Sequence, residues 1–183
     1  GSISDDYFKA WALSDIALEL AKAGQFDKAV NVAGSITRDY SKAYALRDIA
    51  LELAKAGRFD KALNVAGSIS DDYDSEKAWA LRDIASELAK AGQFDKAVSV
   101  AGSIYDNSDK AKALKDIAKE LAKAGQFDKA FNVAGSISYD YEKAWALSDI
   151  ASELAKAGQT QKALQIFDKA VNAAGSISDD SEK

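Results

Sequence analysis

The sequence is dominated by one internal repeat. The tripeptide Asp-Ile-Ala recurs with its Asp at positions 15, 48, 83, 116 and 149, at spacings of 33, 35, 33 and 33 residues. Closely similar residues surround every copy, as in the segment from Lys42 to Ser70. Self-similarity at a fixed period of about 20–50 residues is typical of architectures in which each unit packs mainly on its neighbours. We therefore expect an array of five units rather than one globular core.

The first half of each unit has the pattern of an amphipathic helix. In the first unit, Leu13, Ile16, Ala17 and Leu20 are spaced at i, i+3, i+4 and i+7, which places them on one helical face. Ala, Leu, Glu and Lys, which favour helices, fill most other positions. Each segment runs into a glycine, a residue that tolerates the left-handed conformation at helix ends. These glycines are Gly24, Gly57, Gly92, Gly125 and Gly158.

A shorter amphipathic segment follows each of these glycines. Phe26, Ala29 and Ala33 share one apolar face, and Ile36 continues their spacing. Because only a few residues separate the two segments, we expect an antiparallel helical hairpin. Gly34 leaves two interpretations open: the helix ends there, or the glycine lies inside the helix where a neighbouring backbone approaches closely. We favour the second interpretation, since the apolar spacing continues to Ile36.

A single hairpin of this kind cannot bury both of its apolar faces, so each unit must pack on the next. The predicted fold class is therefore all-α, a right-handed superhelical solenoid of five helix-turn-helix repeats of about 33 residues. One repeat domain is predicted over 1–183, with repeats at 9–41, 42–76, 77–109, 110–142 and 143–183. The Ser, Asp and Tyr residues between repeats are predicted to form turns that cap the next helix.

Two departures from the period carry structural information. Two additional residues, around Asp74 and Ser75, precede the third repeat. They are expected in a turn, because an insertion of two within a helix would rotate its apolar face. In the last repeat Gly175 follows Gly158 at a spacing of 17 residues, whereas in the first repeat Gly34 follows Gly24 at a spacing of 10. Seven additional residues are about two helical turns, so a lengthened C-terminal capping helix is predicted.

The lengthened helix is expected to cover the end of the array. Its outward side is predicted to carry Gln159, Gln161 and Gln165. Its buried apolar face is predicted to comprise Leu164, Phe167, Ala170, Val171 and Ala174.

Composition excludes several classes of function. The chain contains no Cys and no His, which removes disulfides, thiolate zinc sites and the usual general base at neutral pH. Carboxylates recur in pairs at i and i+4, beginning with Asp15 and Glu19. Lys22 and its equivalents follow each Glu by three residues, so ion pairing is favoured over cation binding. We expect a protein that is not an enzyme and that needs no cofactor and no metal.

Charge and hydropathy narrow the expected partners. A net charge of −5 argues against nucleic acid. The apolar runs are short and no secretory signal is visible, so we expect no membrane contact and a soluble protein, cytoplasmic if it is natural or recombinant. Because Met is absent, the chain is expected to be a processed product, a fragment or a tagged protein.

With the hairpin defined, the unit resembles the tetratricopeptide repeat (TPR) family. In the third repeat the resemblance is carried by Leu81, Ile84, Ala85, Leu88, Gly92, Phe94, Asp95, Ala97 and Ala101. The resemblance covers nearly the whole chain, although the period is 33 residues, the terminal Pro is missing and Leu replaces the first-helix Trp. The near-identity of the units also favours an engineered or recently amplified array. The resemblance implies a non-catalytic scaffold that binds peptides or proteins in a concave groove lined by the first helices.

The residues that the resemblance places in this groove vary between repeats, while the apolar positions are nearly constant. The aromatic and arginine positions are Trp11, Tyr44, Arg47, Trp79, Arg82 and Trp145. The fourth repeat contributes a basic stripe at i, i+3, i+7 and i+11, formed by Lys112, Lys115, Lys119 and Lys123. These residues predict a partner with acidic groups, held by charge-assisted hydrogen bonds and aromatic anchors.

Other interpretations of the same residues stay open. Variation on one face also suits a solvated surface with no ligand, in which case the chain is a purely structural array. The Trp side chains equally suit packing on the preceding repeat. Solenoid ends expose apolar surface unless they are capped, and only Tyr7 and Phe8 are placed to cover the first repeat. The expected state is therefore a monomer or a weak end-to-end self-association.

Overall fold

The computed structural model describes residues 3–177, and within this range the chain forms ten α-helices, one short 3₁₀ helix and no strand. The first helices of the hairpins are α1 (Ile3–Lys22), α3 (Asp39–Lys55), α5 (Asp74–Lys90), α7 (Asn107–Lys123) and α9 (Asp140–Lys156). The second helices are α2 (Phe26–Gly34), α4 (Phe59–Gly67), α6 (Phe94–Gly102), α8 (Phe127–Gly135) and α10 (Thr160–Gly175). The prediction of an all-α fold built from repeated helical pairs is confirmed. None of the described helices has the length and apolarity needed to cross a membrane.

The chain divides into two compact units, Gly1–Leu88 and Ala89–Lys183. Packing follows the same rule inside each unit. In unit 1, α1 packs on its own second helix α2 and on the next first helix α3, which also contacts α2. In unit 2, α7 packs on α8 and on α9, and α9 also contacts α8. The hairpins α1–α2 and α7–α8 therefore bury their apolar sides partly within themselves and partly against a neighbouring hairpin of the same unit.

Alanine forms much of the core. In α3 the Asp-Ile-Ala motif supplies Ile49 and Ala50, which are fully buried. The second helices bury pairs of alanines four residues apart, such as Ala130 and Ala134 in α8. A methyl side chain allows two helices to approach closely, and interiors of this kind are packed as densely as organic crystals. The fold thus depends on close contact between helices rather than on a thick layer of large side chains.

A glycine in the left-handed conformation ends each first helix, as predicted. Gly125 has a φ of 73°, and its N–H donates to the carbonyl oxygen of Ala122 at 2.9 Å. The N–H of the next residue, Gln126, donates to the carbonyl oxygen of Leu121 at 2.9 Å. This pair of hydrogen bonds is the Schellman motif, which satisfies carbonyl groups that the helix end would leave unpaired. The turn reverses the chain within two residues and sets up the hairpin.

The second helices end at their glycines, so the interpretation that we favoured for Gly34 is wrong. Helix α2 ends at Gly34, and the N–H groups of Ser35 and Ile36 donate to Val32 and Ala33 in tighter i→i−3 bonds of 3.0 and 3.1 Å. A Cβ on Gly34 would meet nothing within 4 Å, so no neighbouring backbone requires a glycine. Ile36 is nevertheless buried, because the tight final turn keeps it on the apolar side.

The two-residue insertion before the third repeat lies outside the helices, as predicted. It forms the 3₁₀ helix Asp71–Tyr73, where the hydroxyl oxygen of Ser70 accepts from the N–H of Asp72 at 3.3 Å. Asp74 and Ser75 themselves belong to the first turn of α5, so the insertion lies slightly earlier than expected. The predicted repeat starts at 42, 77, 110 and 143 each lie three residues after the first residue of a first helix.

The last helix is longer, as predicted, but it does not bury the expected side. Helix α10 has 16 residues, whereas α8 has nine. Ala163 and Ala170 are buried against α9, while Leu164 and Val171 are 59% and 68% exposed and Phe167 is half-buried. Ala174 and the predicted outward residues Gln161 and Gln165 are exposed, and Gln159 is half-buried. Among the first helices described, α10 packs on α9. The residues of α10 that are buried are the alanines Ala163 and Ala170.

We predict opposite effects for two glycine substitutions in the same repeat. Gly125→Ala should lower the free energy of unfolding by about 1–2 kcal/mol, because alanine is strained at positive φ. Gly135→Ala should leave it unchanged or raise it by up to about 1 kcal/mol, because this position is helical and open. Urea denaturation followed by circular dichroism measures both. Equal destabilisation by the two substitutions would contradict this assignment of the helix ends.

Candidate binding surface

Aromatic side chains from three successive first helices form a continuous row in unit 1. We define the aromatic row as Tyr7, Trp11, Tyr44 and Trp79, contributed by α1, α3 and α5. The ring centroids of Tyr7 and Trp11 are 6.1 Å apart, and those of Trp11 and Tyr44 are 5.9 Å apart. Trp11 and Trp79 are 36% and 38% exposed, so both rings keep part of their surface open to solvent. The repeat places Trp11, Tyr44 and Trp79 side by side because they occupy the corresponding position of their helices, and Tyr7 lies one turn before Trp11.

Arg47 joins the two halves of the aromatic row. Its guanidinium carbon lies 4.1 Å from the ring centroid of Tyr44 and 5.5 Å from that of Trp79. The same group donates to Asp48 from Nε at 3.1 Å and from Nη2 at 2.7 Å. Arginine suits this position because a flat guanidinium stacks on rings while its edge donates hydrogen bonds. The predicted groove residue is therefore also a structural link between α3 and α5.

The environment of Arg47 keeps it charged. Burial of the guanidinium opposes the charged form, but the hydrogen bond and negative charge of Asp48 outweigh this, and the pKa of Arg47 is raised. A hydrogen bond with Tyr44 acts in the same direction. The charge is thus fixed in place and partly neutralised at this point of the surface.

Other predicted groove positions in unit 1 differ in exposure. Arg82 lies on α5 and donates to the carboxylate of Asp83 at 3.2 Å, with both side chains 28% exposed. Ser14, about one turn after Trp11 on α1, is buried. Its hydroxyl donates to the carbonyl oxygens of Ala10 at 3.0 Å and Ser41 at 3.2 Å, so it belongs to the contact between α1 and α3.

The basic stripe lies along α7 in unit 2, and carboxylates partly balance it. Lys112 is 3.6 Å from a carboxylate oxygen of Asp109, and Lys119 is 3.4 Å from one of Asp149 on α9. Lys123 pairs with Glu120 at 2.7 Å. Lys115 is half-buried. The stripe is therefore less positive than the sequence spacing alone indicates.

The predicted ion pairs between Glu and Lys at i and i+3 are confirmed. In α1 the distance from Lys22 Nζ to Glu19 Oε1 is 2.8 Å. The same pair forms at 2.8 Å in α3, at 2.7 Å in α7 and at 2.7 Å in α9. Among the described residues, no three His, Cys, Asp or Glu side chains are arranged to hold a metal ion. The recurring carboxylates act mainly as partners of the neighbouring lysines.

Trp145 borders an open cleft at the end of unit 2. It is 55% exposed, and its ring centroid is 6.0 Å from that of Tyr141. The cleft has a volume of about 310 Å³ and lies between α9 and α10, where Ala144 and Ser148 face Phe167 and Val171. Sequence reasoning assigned Trp145 to the groove, with packing on the preceding repeat as the alternative. It missed the cleft, because the lengthened α10 was expected to cover this side.

A second cavity in unit 2 was not predicted at all. It has a volume of about 510 Å³ and lies between α8, α9 and α10, with Phe131, Ile166 and Lys169 among its lining residues. The ammonium group of Lys169 lies 4.5 Å from the ring centroid of Phe131. A cavity of about 230 Å³ lies at the corresponding place between α2, α3 and α4 in unit 1, so a cavity here is a feature of the hairpin junction. Lys169, in the additional turns of α10, extends its wall in unit 2.

Comparison with known proteins finds solved structures with limited similarity to the chain and no sequence match. No protein-family model matches the chain, and no curated protein sequence matches it. A solved MamA mutant is 18% identical, covers 92% of this chain and 99% of its own, and has a TM-score of 0.46. A Podosopora anserina kinesin light chain structure, described as having nearly identical TPR-like repeats, is 12% identical over 89% of this chain and 93% of its own, with a TM-score of 0.47. Ton1535 from Thermococcus onnurineus NA1 is 23% identical over 89% of this chain and 55% of its own, at a TM-score of 0.35.

We predict that Arg47→Lys lowers the free energy of unfolding by about 1–2 kcal/mol, since an ammonium group cannot stack on Tyr44 and Trp79 while donating two hydrogen bonds to Asp48. Arg58→Lys is the control. Arg58 is exposed and its guanidinium carbon lies 5.0 Å from one ring centroid, that of Phe26, a contact that an ammonium group can keep, so its replacement should change stability by less than about 0.5 kcal/mol. Thermal unfolding followed by tryptophan fluorescence compares the two variants. An equal effect of both substitutions would contradict the structural role of Arg47.

Proposed function

We propose that the chain is a non-catalytic helical-repeat scaffold that binds a peptide or protein segment with both apolar and acidic side chains. The aromatic row of unit 1, held in place by Arg47, is the observation that carries the proposal. The absence of His and Cys from the sequence supports a function in binding rather than in catalysis. The near-identity of the five repeats supports the further proposal of an engineered or recently amplified array.

The aromatic row has the properties of an anchor for apolar side chains. Trp11 and Trp79 are partly exposed, while contacts with Tyr44 and Arg47 hold the rings of the row in fixed positions. Rings that are already ordered lose little conformational entropy on binding. Tryptophan, tyrosine and arginine are also the residues that most often dominate binding energies at protein interfaces. A ligand with large apolar side chains would gain the most from this surface.

The basic stripe of unit 2 is a separate surface that suits the acidic groups of a ligand. Lys112 and Lys119 have side chains that are 42% and 45% exposed, so a carboxylate can reach them from solvent. Their present partners, Asp109 and Asp149, hold them at distances of 3.6 and 3.4 Å, which are long for charge-assisted hydrogen bonds. An incoming carboxylate can therefore form a shorter contact without breaking a strong one.

The test uses a fluorescein-labelled peptide of alternating Glu and Leu residues, titrated with the full chain. The triple variant Lys112→Ala/Lys115→Ala/Lys119→Ala should bind it about tenfold more weakly. Each exposed charge pair is worth about 0.2–1 kcal/mol, and about 1.4 kcal/mol corresponds to a factor of ten. A Gln–Leu peptide of the same length should bind wild type and variant equally. Fluorescence anisotropy measures all four dissociation constants.

Matched controls separate this surface from general electrostatics. Lys61→Ala/Lys96→Ala/Lys129→Ala removes the same charge from exposed positions of three second helices and should leave the affinity almost unchanged. Trp11→Ala/Trp79→Ala should weaken binding of both peptides, whereas Tyr105→Ala, in an exposed turn, should not. The proposal fails if no peptide binds wild type at low salt. It also fails if the two lysine triples weaken binding equally.

A further inference from the structure

The two ends of the chain expose surfaces that the interior repeats bury. On α3, whose preceding hairpin α1–α2 is present, Ala45 and Ile49 are 1% and 0% exposed. On α9, which follows α7–α8, Ala146 and Ile150 are 0% and 1% exposed. The corresponding positions on α1 are Ala12, which is exposed, and Ile16, which is 49% exposed. The residues at these positions are the same, so the difference in exposure arises because no described hairpin packs on this face of α1 in the way that α1 and α2 pack on α3.

The opposite end shows the complementary face. On α1, which is followed by α3, Ala10, Ser14 and Ala21 are buried at 2%, 4% and 2% exposure. The corresponding residues of α9 are Ala144 and Ser148, which are half-buried, and Ala155, which is exposed. This small-residue face of α9 opens into the cleft between α9 and α10. Among the described residues, this face of α9 is therefore open.

We infer that these two faces bind each other between copies, so that α1 of one chain packs on the α9–α10 cleft of a second chain. A second copy of α1 suits the α9–α10 cleft because first helices pack in this way within the chain. There, α3 contacts both α1 and α2, and α9 contacts both α7 and α8. The proposed contact continues this interface from one molecule to the next. The contact joins two different faces, so it is a head-to-tail contact in which each copy can bind one neighbour through α1 and another through the α9–α10 cleft.

Polar groups at the two ends fit the same geometry. In unit 1 the hydroxyl of Ser14 donates to the carbonyl oxygen of Ser41 on α3 at 3.2 Å. At the intermolecular contact the corresponding groups are the hydroxyl of Ser148 and the carbonyl oxygen of Phe8. The hydrogen bond that joins α1 to α3 within the chain can thus form in the same way between α9 of one copy and α1 of the next.

Charges at the two ends are also complementary. The pKa of Lys22 is raised, chiefly by its hydrogen bond to Glu19 and the charge of Glu19. The negative charges of Glu52 and Asp48 on α3 add to this effect. The corresponding groups at the intermolecular contact are Lys156 of α9 and the acidic residues Glu19 and Asp15 of α1. A cation at one end therefore faces two carboxylates at the other, which favours docking of unlike ends over like ends.

The inference does not rest on peptide binding, because Ile16 and Ala155 lie outside the aromatic row and the basic stripe. Sedimentation velocity of the full chain tests it over a wide concentration range. Wild type should show an average mass that rises with concentration above the 19.5 kDa of one chain. A constant mass of one chain at every concentration would overturn the inference.

Two variants that each block one end test the polarity of the contact. Ile16→Glu places a charge on the α1 face, and Ala155→Arg places a bulky charge on the α9 face. Both positions are exposed within the single chain, so folding should be retained, which circular dichroism checks. Each variant alone should remain at the mass of one chain. An equimolar mixture should form a species with the mass of two chains, since one intact α1 face and one intact α9 face remain.

The other outcomes are equally decisive. If Ile16→Glu or Ala155→Arg associates alone as wild type does, the contact joins like ends or lies elsewhere, and the inference is wrong. A mixture that stays at the mass of one chain would also overturn it. Tyr105→Glu is the control: this turn residue is 89% exposed and distant in sequence from both faces, so its association should match that of wild type.

Discussion

The close contact between neighbouring first helices is the interaction on which the rest of the structure depends. In each compact unit a first helix presents alanines to the helix that follows it, such as Ala10 and Ala21 of α1 towards α3, and these methyl groups are almost completely buried. Small side chains gain little from burial individually, but they allow many backbone and Cβ atoms to come within van der Waals distance. The stability of a hairpin is therefore largely a property of its junction with the next hairpin.

This constraint explains where variable residues occur and what they do. Ala50 and Ile49 are fully buried, and the residues at their positions are nearly the same in all five repeats. Positions 11, 44 and 79 lie beside the junctions and are partly open, so large rings fit there without separating the helices. Because successive helices are in register, these rings meet one another, and Arg47 links two of them through stacking. A surface suited to binding thus arises at the margin of the same contacts that hold the fold together.

The sequence was sufficient to predict the hairpins, the glycine turns and the Glu–Lys pairs, because all of these follow from local spacing. It was misleading at Gly34, where continued apolar spacing to Ile36 hid a change from i→i−4 to i→i−3 hydrogen bonds. It was also misleading at Leu164 and Val171, because periodicity identifies an apolar face without stating whether a partner covers it. The pairing of Arg47 with Asp48 could not be predicted either, since adjacent helical residues do not normally face each other. The ring of Trp79 comes from another helix and contacts the guanidinium of Arg47 in this orientation, and Arg82 pairs in the same way with Asp83.

The most direct test of the close helix contact is the thermal stability of Ala118→Leu compared with Ala124→Leu. Ala118 is fully buried on α7, whereas Ala124 is exposed at the end of the same helix. If close approach of the helices is essential, Ala118→Leu should destabilise the protein by about 1–3 kcal/mol despite its greater apolar surface. For a chain of this length that corresponds to a decrease in Tm of about 2–12 °C, with little change for Ala124→Leu. An increase in Tm for Ala118→Leu would contradict this, because it would mean that apolar burial alone holds the hairpins together.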